Sequence, residues 1–206
     1  ARELKLSVAS HNPNLIRNRG IEEMNYGMTR VLEVRPRPDS NGTAHISVKV
    51  TDGQYTDSTS FQLNVRSIND APYLVRNVER RLDEGARLLL TEHFLRVRDV
   101  DNPPNELKYE VIREPEHGKI LLNDDSLGES GFTQQDIRKE RIWYKHDGSE
   151  YMQDTVKFTV NDGQGGSYSD ITLPFEMVPQ NDPPVISSIQ DQYVLEDHST
   201  EPLTFT

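Results

Sequence analysis

Apolar and polar residues alternate with period two along much of this chain. The alternation is clearest at residues 4–8, 30–34, 44–50, 61–65, 107–112, 142–144 and 155–160. Successive side chains of a strand point to opposite faces, so each run predicts a strand with one buried face. Asp-Gly pairs at 52–53, 147–148 and 162–163 supply hairpin-type turns. One helical turn is predicted at Thr133-Gln134-Gln135-Asp136-Ile137, with Thr133 as cap and Asp136 in the first turn. Residues 88–94 fit either a short helical turn or a strand. Phe132, Ile137, Tyr144, Phe158 and Val160 are the expected core. Regular short strands with turns between them predict an all-β sandwich.

The pattern also repeats. A strand over residues 45–50 runs into Thr51-Asp52-Gly53-Gln54, and one over 156–160 runs into Asn161-Asp162-Gly163-Gln164. Each is followed by a second strand, at 60–65 and 170–175, and then by a linker. The linkers are Asn69-Asp70-Ala71-Pro72 and Asn181-Asp182-Pro183-Pro184, 112 positions apart. Leu82-Asp83-Glu84 matches Val194-Leu195-Glu196 at the same offset. The expected organisation is therefore one complete repeat over residues 73–184. Residues 1–72 are the later part of a preceding repeat, without its first strand. Residues 185–206 are the start of a following one.

Composition narrows the function. The chain has 23 basic and 34 acidic residues and a net charge of −11, which argues against a nucleic-acid partner. Residues 1–72 are net +1, residues 73–184 net −8 and residues 185–206 net −4. Such acidity either keeps the surface soluble or gathers carboxylates for a hard cation. No run approaches the apolar length of a membrane helix. Ala1-Arg2-Glu3-Leu4-Lys5 is not signal-like, and the expectation is a piece cut from a longer protein. There are no cysteines. A small β domain without disulfides needs another staple, and a metal ion is the usual one outside the cell. A cytosolic protein would lack cysteine bridges as well.

Residues 73–184 resemble the chondroitin sulfate proteoglycan (NG2-type) repeat, a cadherin-like sandwich. The resemblance is carried in order by Glu84-Gly85, Leu95, Asp99-Val100-Asp101, Leu107-Lys108-Tyr109, Pro115-Glu116-His117-Gly118, Phe132-Thr133-Gln134-Gln135-Asp136-Ile137, Tyr144-Lys145-His146-Asp147-Gly148-Ser149, Asp154 and Phe158-Thr159-Val160-Asn161-Asp162-Gly163. Residues 1–72 are similar to the cadherin-like or Ig-like repeats of bacterial surface proteins. Ser10-His11-Asn12-Pro13-Asn14-Leu15-Ile16, the strand and turn over 42–53 and the Asn69-Asp70-Ala71-Pro72 linker carry that likeness. The resemblance implies tandem Greek-key β-sandwiches arranged as a rod, in an extracellular or cell-surface protein with a structural and adhesive role.

Calcium takes six to eight oxygen ligands at about 2.3–2.6 Å. Asp99-Val100-Asp101 puts two carboxylates on one side of a strand, and this spacing favours calcium there. Asp52 and Asp147 fit turn chemistry better, because such side chains bond their own backbone. For Asn69-Asp70 and Asn181-Asp182 both readings stay open. By resemblance to cadherins, ions sit at repeat junctions. The first junction would then use Asn69, Asp70, Asp99, Asp101 and Asp162. The second would use Glu84, Asn181 and Asp182, with further ligands from the next repeat. The cadherin Leu-Asp-Arg-Glu motif is missing and the linkers are short, which predicts one ion per junction rather than three.

No enzyme is expected. His146-Asp147-Gly148-Ser149 lies on one turn, whereas a nucleophile and its base must face each other. Gly128-Glu129-Ser130-Gly131 lacks the spacing of a nucleophile elbow. His117 is expected to be a turn residue, and Trp143 to be packing. Asn41-Gly42-Thr43 is a glycosylation sequon in a eukaryotic secretory pathway and an ordinary turn elsewhere. The alternative function is a carbohydrate-binding accessory module of a secreted enzyme, with Trp143, Tyr151 and Tyr168 as the sugar platforms. Expected partners are neighbouring repeats of the same chain and homophilic, matrix or glycan contacts. A further option is head-to-tail strand exchange, in which residues 193–205 complete the first domain of another molecule.

Overall fold

The computed structural model describes residues 4–26, 29–128 and 131–205. Glu129 and Ser130 of the Gly128–Gly131 stretch lie outside them. The described residues are strand and turn, with one short α-helix. None of their helices is long and apolar enough to cross a membrane.

The first region contains β1 (Lys5–Ser10), a 3-10 turn (Asn18–Gly20), β2 (Ile21–Tyr26), β3 (Thr29–Val34), β4 (Gly42–Thr51) and β5 (Thr56–Val65). They form a three-stranded sheet in the order β1-β4-β5 and a separate β2-β3 hairpin, all antiparallel. Asp52-Gly53 closes the β4–β5 hairpin as expected, with Thr51 paired to Thr56. The core is small. Leu15, Ile16, Ala44 and Ile46 are buried, and Val8, Ile21, Val34, Leu63 and Val65 pack partly buried around them.

The second region contains β6 (Tyr73–Asn77), β7 (Arg80–Asp83), β8 (Arg87–Leu89), β9 (Leu95–Arg98), β10 (Lys108–Arg113), β11 (Gly118–Leu122), β12 (Asp125–Ser126), β13 (Phe132–Thr133), α1 (Gln134–Arg138), β14 (Ile142–His146), β15 (Gln153–Asn161) and β16 (Ser167–Val178). One sheet has the order β13-β10-β15-β16-β7 and the other β12-β11-β14-β8, with β6 and β9 as a further pair. The chain leaves the first sheet after β10, makes β11 and β12 in the second, touches the first again at the short β13, crosses to β14 in the second and returns at β15. That crossing is Greek-key connectivity. All pairings are antiparallel except β7 with β16, which run parallel.

The two sheets close on one core. Period-two alternation sends Val156, Phe158 and Val160 of β15, and Ile171, Leu173, Phe175 and Met177 of β16, inward against Ile120, Ile142 and Tyr144. Tyr144 stacks on Phe175 across the sheets at 3.8 Å. Phe158 meets Tyr109 and Phe132 edge-on, at 5.8 and 5.5 Å. The buried phenols keep partners. Tyr109 donates to Gln134 Oε1 at 2.6 Å and Tyr144 to Asp154 Oδ2 at 2.9 Å. Burial pushes both phenol pKa values far above the ordinary range. The expected core residues Phe132, Ile137, Tyr144, Phe158 and Val160 are all buried.

α1 forms where the sequence predicts it. Asp136 N–H donates to Thr133 Oγ1 at 3.2 Å, and Thr133 N–H donates to Asp136 Oδ2 at 3.0 Å. That is a reciprocal capping box. Gly131 leads into it with φ +65, and a side chain there would collide with the Tyr109 carbonyl.

Three details differ from expectation. Residues 88–94 split into the end of β8 and a turn, in which Phe94 N–H donates to Thr91 O at 2.9 Å. Asp147-Gly148 does not close a hairpin, because it carries the chain from β14 to β15 in the opposite sheet. Residues 193–205 form no strand. A strand needs a hydrogen-bonded neighbour, and among the described residues none pairs with this stretch, which is exposed throughout.

Candidate metal centres at the two linkers

Four segments converge where the first region meets the second. The Asn69-Asp70 linker brings Asn69 Nδ2 to Asp162 Oδ2 at 2.7 Å, and Asp70 N–H to Asp101 Oδ2 at 2.8 Å. Asp162 ends the β15 side of its hairpin. Its Oδ1 accepts from Gln164 and Gly166 N–H at 2.7 and 3.0 Å. Gly166 is required there, since a Cβ would collide with the Asp162 carboxylate and lie 2.9 Å from Ala71 Cα. Asp99 follows β9, and its Oδ1 accepts from Asp101 and Asn102 N–H at 2.7 and 3.0 Å. The structure thus brings Asn69, Asp70, Asp99, Asp101 and Asp162 to one place.

It adds Asn102, which is 5% exposed. Both hydrogen bonds of the Asn102 amide come from Nδ2, to Glu106 Oε2 at 2.8 Å and to the Asp162 carbonyl at 3.3 Å. Its Oδ1 is left without a donor, as are the buried Asn69 Oδ1 and Asp99 Oδ2. A buried acceptor without a partner costs about 1–3 kcal/mol. Three such oxygens, one in the linker and two in the turn after β9, suit a ligand that only accepts lone pairs, and a hard cation is such a ligand.

Asp162 is buried, at 3% exposed. Burial acts to raise its pKa. The Asn69 amide and the N–H groups of Gln164, Gly166 and Gly165 outweigh burial, and hold the carboxyl below the ordinary aspartate range. Asp162 therefore keeps its negative charge at neutral pH.

At the second linker, Glu84, Glu150 and Asp182 each place one carboxylate oxygen within 4.8 Å of the others. Glu84 follows β7. Its N–H donates to Val178 O at 3.0 Å, its Oε2 accepts from Gln180 N–H at 3.1 Å, and its Oε1 has no donor. Like charges so close repel unless a cation or protons intervene. Of the predicted ligands, Glu84 and Asp182 meet, and Asn181 is exposed in the same linker. Glu150 was not foreseen. It lies just past the His146–Ser149 turn, and only the crossing from β14 to β15 carries it to Glu84. Among the described residues, no triad of first-linker carboxylates draws within the same distance.

The other singled-out residues have structural places. Asp52 Oδ1 accepts from Gln54 and Tyr55 N–H at 2.9 and 2.7 Å, and Asp147 Oδ1 from Ser149 N–H at 2.9 Å. Both are turn residues. His146 is buried, and its Nδ1 accepts from Gly85 and Gly148 N–H. Asp154 accepts from the N–H groups of Glu116, His117 and Thr155. His117 stacks on Tyr151 at 3.7 Å. Trp143 lies under Arg87 in one sheet, and Tyr168 belongs to the other sheet. Trp143, Tyr151 and Tyr168 therefore share no single groove. Asn41 is exposed.

Residues 72–173 match the family model described as Cadherin-like. Extracellular matrix protein 3 of Lytechinus variegatus is 31% identical over 182 residues, 83% of this chain and 6% of that protein. Extracellular matrix organizing protein FRAS1 of Mus musculus is 30% identical over 152 residues, 71% of this chain and 4% of that protein. Human chondroitin sulfate proteoglycan 4 is 32% identical over 108 residues, 52% of this chain and 5% of that protein. The chain spans only about one-twentieth of these relatives' length. Among solved structures, human protocadherin-24 EC1-2 aligns over 85% of this chain and 82% of its own, at 14% identity and a TM-score of 0.46.

Proposed function

We propose, from a chain whose residues 72–173 belong to the cadherin-like family, that it is a calcium-stabilised spacer and adhesion segment of a large extracellular protein. Its relatives bear the names of extracellular matrix proteins, and its place is outside the cell with them. The role is structural, without catalysis. Residues 1–72, 73–184 and 185–206 are successive repeats, the outer two partial. In this reading the exposed Tyr193 and Leu195 are inward residues of the following repeat, not a strand lent to another molecule.

One calcium ion at the first junction takes oxygens from Asn69, Asp70, Asp99, Asp101 and Asp162, joined by Asn102. A second takes Glu84, Glu150, Asn181 and Asp182. The observation that carries the reading is the set of donorless buried oxygens Asn69 Oδ1, Asp99 Oδ2 and Asn102 Oδ1. An ion bound across a linker joins two sheets through oxygen ligands and fixes the angle between repeats.

Calcium titration followed by calorimetry, thermal melting and small-angle scattering tests this. Binding to the native state alone stabilises by about 2.7 kcal/mol at a hundred times Kd. Calcium is expected to raise the melting temperature and narrow the distribution of interdomain distances. Asp99→Asn/Asp101→Asn should abolish the first-junction response, and Glu84→Gln/Glu150→Gln the second. Identical melting and scattering with chelator and with calcium would sink the proposal.

A further inference from the structure

Arginines gather on the outer side of the β6–β9 pair in this acidic chain. In the β6–β9 pair, Tyr73 sits opposite Arg98 and Arg76 opposite Arg96. Leu95 and Val97 of β9 point into the core, so Arg96 and Arg98 stand on the outer side. Arg138, in the last turn of α1, is exposed next to them. Arg96, Arg98 and Arg138 line a surface hollow of about 450 Å³ together with Tyr73.

Little in the protein neutralises these cations. Glu92 lies 3.9 Å from Arg96 Nε. Asp99 is a second carboxylate at the rim; its Oδ1 accepts from Asp101 and Asn102 N–H, and no arginine pairs with it among the described residues. The Arg76 guanidinium reaches only the His93 carbonyl, at 3.4 Å. Arg98 and Arg138 have no acidic partner among the described residues. Like charges directly opposite on paired strands destabilise them, and Arg76 and Arg96 are such a pair. An external anion would relieve that repulsion.

We propose that this face binds a sulfated polysaccharide. Guanidinium groups form paired hydrogen bonds to planar or tetrahedral oxyanions, better than lysine does. Here they are strung along a strand pair and onto a helix end, not gathered about one point. That suits a polymer with anions at intervals better than a single small ion. Tyr73, 46% exposed, offers a ring for a sugar to lie against beside the cations. The arginines and Tyr73 are not among the linker ligands, although Asp99 and Asn102 of the first linker site border the same hollow, and the proposal needs no metal.

The test is titration of the whole chain with a size-defined heparin decasaccharide in 50 mM NaCl. Binding is expected there, and its loss is expected at 300 mM NaCl as the charges are screened. Arg98→Glu/Arg138→Glu should weaken binding at least tenfold. Arg113→Glu, which removes the cation paired with Glu116, should leave it within twofold. If the charge-reversed protein fails to fold, Arg98→Gln/Arg138→Gln decides, with an expected loss of at least threefold. Four results would overturn the proposal: no binding by the wild-type chain; equal binding by wild type and the double variant; an equal loss with Arg113→Glu; or equal affinity for a polyglutamate peptide of matched charge.

Discussion

The β4–β5 and β15–β16 hairpins share a sequence plan and differ in what surrounds them. Both run strand, Asp-Gly turn, strand and Asn-Asp-x-Pro linker. Yet β16 buries Ile171, Leu173, Phe175 and Met177, whereas β5 leaves Phe61 41% exposed and only half-buries Leu63 and Val65. β16 lies between β15 and β7, and a four-stranded sheet covers its inner face. β5 pairs with β4 alone among the described strands, and its sheet packs on no more than the Leu15-Ile16 turn and residues Ile21 and Val34 of the β2–β3 hairpin. Local sequence therefore sets the hairpin, and the number of layers around it sets the burial.

The strongest way to break this comparison is Phe158→Ala. Phe158 is fully buried among Tyr109 and Phe132, and such a truncation costs about 3–5 kcal/mol. Denaturant unfolding should lose that amount in the transition of the second region, while near-native amide exchange persists in β4. Ile46→Ala removes the largest inward side chain of β4. The loss should be about 2 kcal/mol, at the low end for such changes, because its half-buried neighbours can close on the gap. Equal losses in the two regions would contradict the layer argument.

The finest distinction is pH dependence. The Asp162 carboxyl is held below its ordinary pKa in the folded state, so the unfolded chain binds its proton first as pH falls. Its stabilising contribution is present above the ordinary aspartate value, near pH 4, and is lost as pH drops through the folded value. Melting of the second region should fall with acid in that window. Asp162→Asn should melt lower at neutral pH and show a flatter acid response. An unchanged acid response in the variant would assign the effect to other carboxylates.

Much of the fold was legible because the signals are local. Alternation gave the long strands β4, β10 and β15, and Thr133 with Asp136 gave α1. The repeat offset marked the two matching linkers. The all-β sandwich reading holds. The short strands β6 and β7 escaped, because Tyr73-Leu74-Val75 and Arg80-Arg81 break their alternation, and β9 escaped because its four residues alternate over too short a run to stand out. At the first linker, Asn102 escaped because its importance lies in burial and in an amide whose oxygen has no donor. At the second, Glu150 meets Glu84 only through the crossing between sheets, a contact between residues far apart in sequence. Residues 193–205 pair with no strand among the described residues, so their place in a following repeat rests on the repeat offset alone.

The parallel pairing of β7 with β16 has a mechanical consequence. Arg80 through Asp83 lie beside Phe175 through Val178, so the first edge strand of this unit runs alongside its last in the same direction. Tension that passes β6 and reaches β7, and leaves through the end of β16, pulls these two strands past each other along their length. The load falls on the whole ladder at once, in shear, instead of opening its bonds one at a time like a zip.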